Sequence, residues 1–377
     1  MTEPTLVASD GALALLRDRL HDEPLACFDA EGPGQGAFPD RLCLLVVAAA
    51  GVVHVVDPFE VDVRGLGDEF ARTDRPFIVH DVAYDARLFA IAGLRLGLVH
   101  DTAIAATMLG KPKTGLASLA LELLNVQVDK SLQASAWARR PLDARAMQYL
   151  TGDAELPREL YCALWPSLEA ADLVDETLTE TRYRVERAAE AVDELRTPAW
   201  WKLPFARALR EPERQWLRSA WIARDRVAKR RDRAPAMLFT DDELERLTRT
   251  IPASVDTLKS SMGRRANDAS LLTALVDAFV ARDTCVPADE LARLDAPIPS
   301  SAERERQKRV RKRLVGWRAH EAKTRGVGEI AVLPGHVADR LAADPACLRV
   351  RGDALSGMGR RRFERYGETL LRLLEEP

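Results

Sequence analysis

The 377-residue sequence has little cysteine and gives none of it a shared task. Cys27, Cys43, Cys162, Cys285 and Cys347 are odd in number, scattered, and never spaced C-x-x-C. That pattern argues against a zinc ribbon or a disulfide framework. Long apolar runs are missing too. The longest stretch, Leu42 to Val56, is broken by Gly51 and His54 and is too short to span a bilayer. The opening MTEPTLVASD has no basic segment followed by an apolar one, so no secretory signal is expected. Ser-His-Asp signals, a Walker loop and H-E-x-x-H are also absent, which sets aside the hydrolase and nucleotide-binding classes that depend on them. These absences predict a reduced, soluble, cytoplasmic protein with no membrane partner.

What is present is a core-forming, charge-segregated chain. Apolar residues make up 47% and charged residues 30%, enough to bury a core, and the length predicts two or three domains. The net charge of −3 conceals two unlike halves. Residues 1–200 carry 19 Lys and Arg against 32 Asp and Glu, or −13; residues 201–377 carry 36 against 26, or +10. A basic back half suits a polyanionic partner.

Leu25–Phe28, Leu42–Ala48, Val52–Val56 and Phe77–Val79 read as strands, the middle two as a hairpin. Ala83–Ala92 has helical spacing, so the front of the chain is expected to be a mixed sheet covered by helices. Beyond Asp101 the periodicity is helical, with separate helices over Asp143–Tyr149 and Leu156–Leu168 and a long one over Ala171–Arg196. An aromatic, Pro-containing connector at 197–201 marks a boundary near residue 200, and the Pro- and Ser-rich stretch 295–301 marks a second linker. The two segments that follow repeat weakly. Arg224-x-x-x-Ala228 precedes Pro252 by 28 residues from its Arg; Arg318-x-x-x-Ala322 precedes Pro345 by 27.

The chemistry is expected from carboxylates. Asp29-Ala-Glu31 ends the first strand, where residues two apart share a face. Asp85 opens the helix after the fourth strand, and Tyr149-x-x-x-Asp153 places a phenol and a carboxylate on one helix face. Each of these alone also suits a solvated surface; their order and setting distinguish the set. Carboxylates gathered in one place repel unless cations neutralise them, and Mg²⁺ or Mn²⁺ prefers such oxygen ligands. Two ions about 3.5–4 Å apart can drive in-line phosphodiester hydrolysis, with a phenol orienting the water.

In this order the residues resemble ribonuclease D, in the DEDD superfamily of 3′–5′ exonucleases. Asp29-x-Glu31 resembles its first motif, Asp85 its second and Tyr149-x-x-x-Asp153 its third, in the tyrosine subclass, since Gln148 stands where the other subclass has His. Asp101-Thr-Ala-Ile, Gly115-Leu-Ala-Ser-Leu, Asp129-Lys-Ser131 and Trp137-Ala-Arg-Arg-Pro141 add to the likeness, which covers residues 22–165. Leu314 to Gly367, and less closely the segment from Trp201, resemble helicase-and-RNase-D C-terminal (HRDC) domains. There are departures: Ala223 stands where the second segment has Trp317, and a Gly- and Pro-rich loop follows Glu31 in place of a bulky residue.

The resemblance implies an α/β ribonuclease H-like exonuclease domain over 1–198, followed by two small all-α HRDC-like domains over 199–294 and 302–377. It implies that Asp29, Glu31, Asp85 and Asp153 hold two Mg²⁺ or Mn²⁺ ions and that Tyr149 positions the attacking water. The expected activity is 3′–5′ exoribonuclease action on RNA with a free 3′ end, releasing nucleoside 5′-monophosphates, with structured RNA such as tRNA precursors as substrate. A DNA exonuclease and a non-catalytic nucleic-acid scaffold are the alternatives. The basic run from Arg304 to Lys323, with Arg309, Arg311, Lys312, Arg313 and Arg318, is expected to touch phosphates. Trp200, Trp201, Trp216 and Trp221 are expected to pack cores, and the front half alone is expected to carry the chemistry.

Overall fold

The computed structural model describes residues 4–129, 131–132, 135–195, 198–281 and 285–375, without the side chains of residues 152, 153 and 195. They form two compact units, one of Met1–Gly32, Arg41–Glu190 and Pro299–Pro377, the other of Pro33–Asp40 and Ala191–Ile298.

The first unit is built on a six-stranded mixed sheet. In chain order its elements are β1 (Thr5–Val7), α1 (Asp10–Asp22), β2 (Ala26–Glu31), β3 (Leu44–Ala49), β4 (Val52–Val56), β5 (Phe77–Val79), α2 (Val82–Ile91), β6 (Val99–Asp101), α3 (Thr102–Met108), α4 (Ala144–Ala170) and α5 (Val174–Leu195). The strand order is β1-β4-β3-β2-β5-β6. Strands β2, β3 and β4 run antiparallel in sequence, whereas β5 and β6 extend β2 in parallel. The expected hairpin forms, turning on Ala50 and Gly51, both at positive φ (51° and 73°), as a tight two-residue turn requires. Strands β1 and β6 carry no sequence signal: they are three residues each and, unlike the wholly apolar Phe77–Val79 of β5, include polar residues (Thr5; His100 and Asp101).

Under one face of the sheet, Phe28, Phe70, Phe77 and Phe89 interlock, with Phe28 and Phe89 centroids 4.9 Å apart. Against the other face lie Trp137 and the α4 residues Leu150 and Ala154. α4 is one 27-residue helix rather than the expected two, and it runs through Pro157. The hydrogen bond that proline removes is outweighed by the burial of Leu150, Ala154, Leu160 and Leu164 along one side.

The second unit is helical. Its longest helix, α6 (Glu211–Arg231), packs around a core holding Trp200 and Trp216, both fully buried. Trp216 donates its indole N–H to the Leu247 carbonyl at 3.1 Å, and Trp201 and Trp221 pack against the same core. Residues 33–40 belong to this unit: the Phe38 N–H donates to Asp232 Oδ1 (3.0 Å) and the Ala234 N–H to the Gly36 carbonyl (2.9 Å).

Residues 299–377, including α7 (Ser301–Arg325) and α8 (Arg360–Glu375), belong to the first unit. Arg362 of α8 is completely buried and donates to five carbonyls, those of Ala331, Gly357, Met358, Ile330 and, on α5, Glu176. The sheet and the C-terminal helices thus share one folded body. The repeat noticed in the sequence has a shared geometry. Arg224 donates to the Phe239 carbonyl at 2.9 Å and Arg318 to the Leu333 carbonyl at 3.2 Å, each 15 residues ahead. Where the second segment places Trp317 edge-on to Tyr366, the first buries the small Ala223.

Candidate active site

Asp29, Glu31, Asp85 and Tyr149 line one cavity of about 590 Å³, beside the carboxyl ends of the parallel strands β2 and β5. Along β2 the side chains alternate. Phe28 and Ala30 enter the aromatic core, while Asp29 and Glu31 stay half-buried. Gly32 follows directly, and a Cβ there would lie 2.0 Å from the Tyr84 hydroxyl. The ring of Tyr84, 47% exposed at the cavity wall, therefore depends on glycine after the D-x-E pair.

Asp85 stands in the first turn of α2, whose start is fixed by a residue without reacting chemistry of its own. The fully buried Asp101 accepts four backbone N–H bonds, from Asp81 (3.1 Å), Val82 (2.8 Å), Ala103 (2.8 Å) and Ile104 (3.1 Å). One carboxylate so clasps the amino ends of α2 and α3, whose dipoles favour its charge. It also holds Asp81 in the left-handed region (φ 66°). One turn beyond Asp85, Phe89 packs on Phe28 and sets the distance between helix and strand.

Burial raises the Asp85 carboxyl well above its ordinary range, and the charges of Asp29 and Glu31 push it further the same way. Such a site favours either a proton or a cation. Among the described residues no group of three His, Cys, Asp or Glu side chains is already gathered as a metal site. Asp153, expected as the fourth carboxylate, lies on α4 one turn beyond Tyr149, with its side chain outside the described residues. The donor set is all oxygen, and the mutual repulsion at Asp85 is what a divalent cation would relieve, so the residues fit hard divalent ions. Tyr149 is half-buried, its ring 5.8 Å from that of Trp137. Arg140 ties the segment before α4 to the sheet by bonding Asp57 and the Cys43 carbonyl.

Among the wall residues not singled out in the sequence are Asp81, Tyr84 and Arg184 of α5. Asp81 and Tyr84 sit inside His80-Asp-Val-Ala-Tyr-Asp85, where they could have been read as loop residues facing the second motif. Arg184 carried no local signal, because it reaches the cavity from a helix 99 residues after Asp85. His80 also lines the wall; its Nδ1 meets Thr102 Oγ1 at 2.8 Å, and burial lowers its pKa. The expected phosphate-binding residues do not line the cavity. Arg309, Arg311 and Lys312 are exposed on α7, Arg311 pairs with Asp339 at 2.5 Å, and Arg313 is half-buried. Arg318 is committed to Glu329 (2.6 Å) and the Leu333 carbonyl (3.2 Å).

The class follows from comparison as well as geometry. Residues 6–169 match the 3′–5′ exonuclease family, a span that includes Asp29, Glu31, Asp85, Tyr149 and Asp153. The first unit therefore contains a 3′–5′ exonuclease domain. Over a longer stretch the chain is similar to ribonuclease D of Granulibacter bethesdensis, 26% identical over 312 residues, 79% of this chain and 78% of that protein. It is 28% identical over 284 residues to ribonuclease D of Acidiphilium cryptum, 69% of this chain and 67% of that one. The fold matches the crystal structure of Escherichia coli RNase D with a TM-score of 0.74 at 22% identity, covering 99% of both chains. The chain thus carries a 3′–5′ exonuclease domain over residues 6–169 and is similar to ribonucleases D over most of its length.

Proposed function

We propose that this protein removes nucleotides one at a time from the 3′ end of RNA, releasing nucleoside 5′-monophosphates, in the maturation of structured RNA such as tRNA precursors. It is a 3′–5′ exoribonuclease similar to the ribonucleases D. The observation that carries the reading is the meeting of Asp29, Glu31, Asp85 and Tyr149 around one cavity at the carboxyl ends of β2 and β5. Asp29, Glu31, Asp85 and Asp153 would hold two Mg²⁺ or Mn²⁺ ions. Such ions, when bound, supply Lewis-acid stabilisation of the phosphodiester and lower the pKa of water.

The chain's own residues supply the positioning. The Tyr149 hydroxyl orients the attacking water, and the α4 helix that carries it also carries Asp153, so both are set by one rigid element. Asp101 keeps α2, and with it Asp85, at a fixed depth. The HRDC-like segments, over 199–294 and 302–377, would add affinity for RNA through exposed cations such as Arg309 and Lys312. A DNA exonuclease and a scaffold without activity are less favoured, since the curated relatives described above are ribonucleases D.

The test follows nucleotide release from 3′-labelled RNA and DNA oligomers with Mg²⁺, Mn²⁺ or EDTA. The expected result is stepwise release of 5′-monophosphates from RNA, abolished by EDTA and by blocking the 3′ hydroxyl. Equal rates on DNA would overturn the RNA preference, and internal cleavage would overturn the exonucleolytic mode.

A further inference from the structure

The wall of the catalytic cavity poses an electrostatic problem that the carboxylates do not solve. Asp29, Glu31, Asp81, Asp85 and Asp129 all line it, and the entering strand is itself a polyanion. Divalent ions held by the motif carboxylates would answer for the scissile phosphate but not for the phosphates upstream of it. Among the described lining residues a single lysine or arginine is present, Arg184.

Its setting is that of an aimed side chain. One turn back on α5, the nearly buried Glu180 accepts from Arg184 Nε at 3.1 Å. This carboxylate-first i,i+4 pairing is the favourable order on a helix. The bond uses the inner edge of the guanidinium. The outer edge faces Asp81 Oδ1 at 3.7 Å, beyond hydrogen-bond range, and Asp81 is itself 67% exposed. A guanidinium gripped at its base and loosely matched at its tip can exchange the outer carboxylate for a phosphate. The two planar N–H groups there suit a phosphate's oxygens better than a lysine's point charge would.

We propose that Arg184 binds a backbone phosphate of the RNA strand on the 5′ side of the scissile bond, releasing Asp81 and setting how deeply the 3′ end enters. This rests on the exoribonuclease reading above and adds to it a substrate-positioning residue outside the exonuclease motifs. Glu180 acts through Arg184, as the group that orients it.

The experiment uses the full-length protein and RNA oligomers with one uncharged methylphosphonate, placed in turn at each of the three linkages upstream of the scissile bond. In the native protein one position should lower kcat/KM by about tenfold, as loss of a charge-assisted hydrogen bond would. Arg184→Ala should lose about as much on unmodified RNA and lose nothing further at that linkage, with kcat at saturation within about twofold. Arg184→Lys should recover part of the loss, because a point charge still attracts phosphate. The same oligomers are also titrated by fluorescence anisotropy in EDTA, where Arg184→Ala should erase the penalty of the one sensitive linkage. Additive losses at every linkage, or native kcat/KM and binding in Arg184→Ala, would overturn the proposal. Should the native protein fail to hydrolyse RNA at all, the exoribonuclease reading falls, and the anisotropy series still decides whether Arg184 meets a phosphate.

Discussion

The two helical segments after residue 190 share a common pattern and are used differently. Both keep an arginine that donates to the carbonyl 15 residues ahead, Arg224 to Phe239 and Arg318 to Leu333. The first gathers Trp200 and Trp216 into a core of its own and adds residues 33–40 to it. The second turns outward. Arg362 bonds the Glu176 carbonyl on α5, and the Gly328 N–H bonds the Met108 carbonyl at the end of α3. A Cβ at Gly328 would lie 1.8 Å from the carbonyl oxygen of Thr107, a residue of the cavity wall. A shared fold pattern therefore says little about which body a segment joins; the groups at its surface decide.

The largest effect expected is on catalysis and should be confined to the first unit. Asp29→Asn and Asp85→Asn should lower turnover by about 10³-fold or more, while leaving the fold intact. Steady-state assays that find more than a tenth of native turnover would remove that residue from the site.

Next comes stability, where the two segments can be compared directly. Arg362→Met leaves five buried carbonyls without their donor and should cost about 3–5 kcal/mol. Arg224→Met deprives the Phe239 carbonyl and the half-exposed Asp241 of their donor and should cost about 1–3 kcal/mol. Urea denaturation of both variants gives the order; a costlier Arg224→Met would mean that the second segment is held less firmly than its hydrogen bonds suggest.

Acid should separate the units. All six histidines lie in the first unit. Burial, as the first cause, lowers His54, His100 and His336 to about 4 from their ordinary value near 6.5. A depressed histidine pKa means that the unfolded chain binds more protons, so stability is lost as pH falls from about 6.5 to about 4. Each group contributes on the order of 3 kcal/mol to that loss. Hydrogen exchange at pH 7 and pH 5 should show opening in peptides of residues 41–190 and 299–375, with residues 198–281 changing less. Uniform opening would contradict the assignment.

Tyr149→Phe should reduce turnover by about 10²-fold with RNA binding unchanged, since it removes one positioning hydroxyl. Parallel loss of binding would mean that the phenol grips substrate. The smallest effect is expected on α7. Arg309→Ala with Lys312→Ala should weaken RNA binding modestly and flatten the dependence of log K on log salt by about 0.7 for each phosphate no longer neutralised. An unchanged slope in a salt titration would assign that face another role.

That Asp29, Glu31, Asp85 and Tyr149 meet around one cavity was legible because the candidate residues lie in short local patterns. Asp29 and Glu31 follow from strand alternation, Asp85 from the helix after β5, and Tyr149 and Asp153 from helical spacing. What stayed hidden depends on distant segments meeting. Asp101 looks like a helix cap, and only the fold brings the amino end of α2 to it. Arg184 acquires meaning from a cavity formed some hundred residues earlier. The grouping of residues 299–377 with the sheet was not legible either. A linker near residue 200 is visible in composition, but no local signal reveals that residues 299–377 return to the catalytic body.

That return bears on how the protein is made. The sheet and its carboxylates emerge from the ribosome long before Arg362, and until α8 arrives the buried Glu176 of α5 lacks the Arg362 donor to its carbonyl and the Arg365 guanidinium beside its carboxylate. The intervening segment, 191–298, can collapse on its own core while the catalytic body waits. The bond joining residues 176 and 362 closes a loop of nearly two hundred residues, a slow step that leaves the growing chain exposed to proteases and aggregation. Nuclease competence thus arrives late in synthesis, and a chain interrupted after residue 298 should be degraded before it can act on RNA.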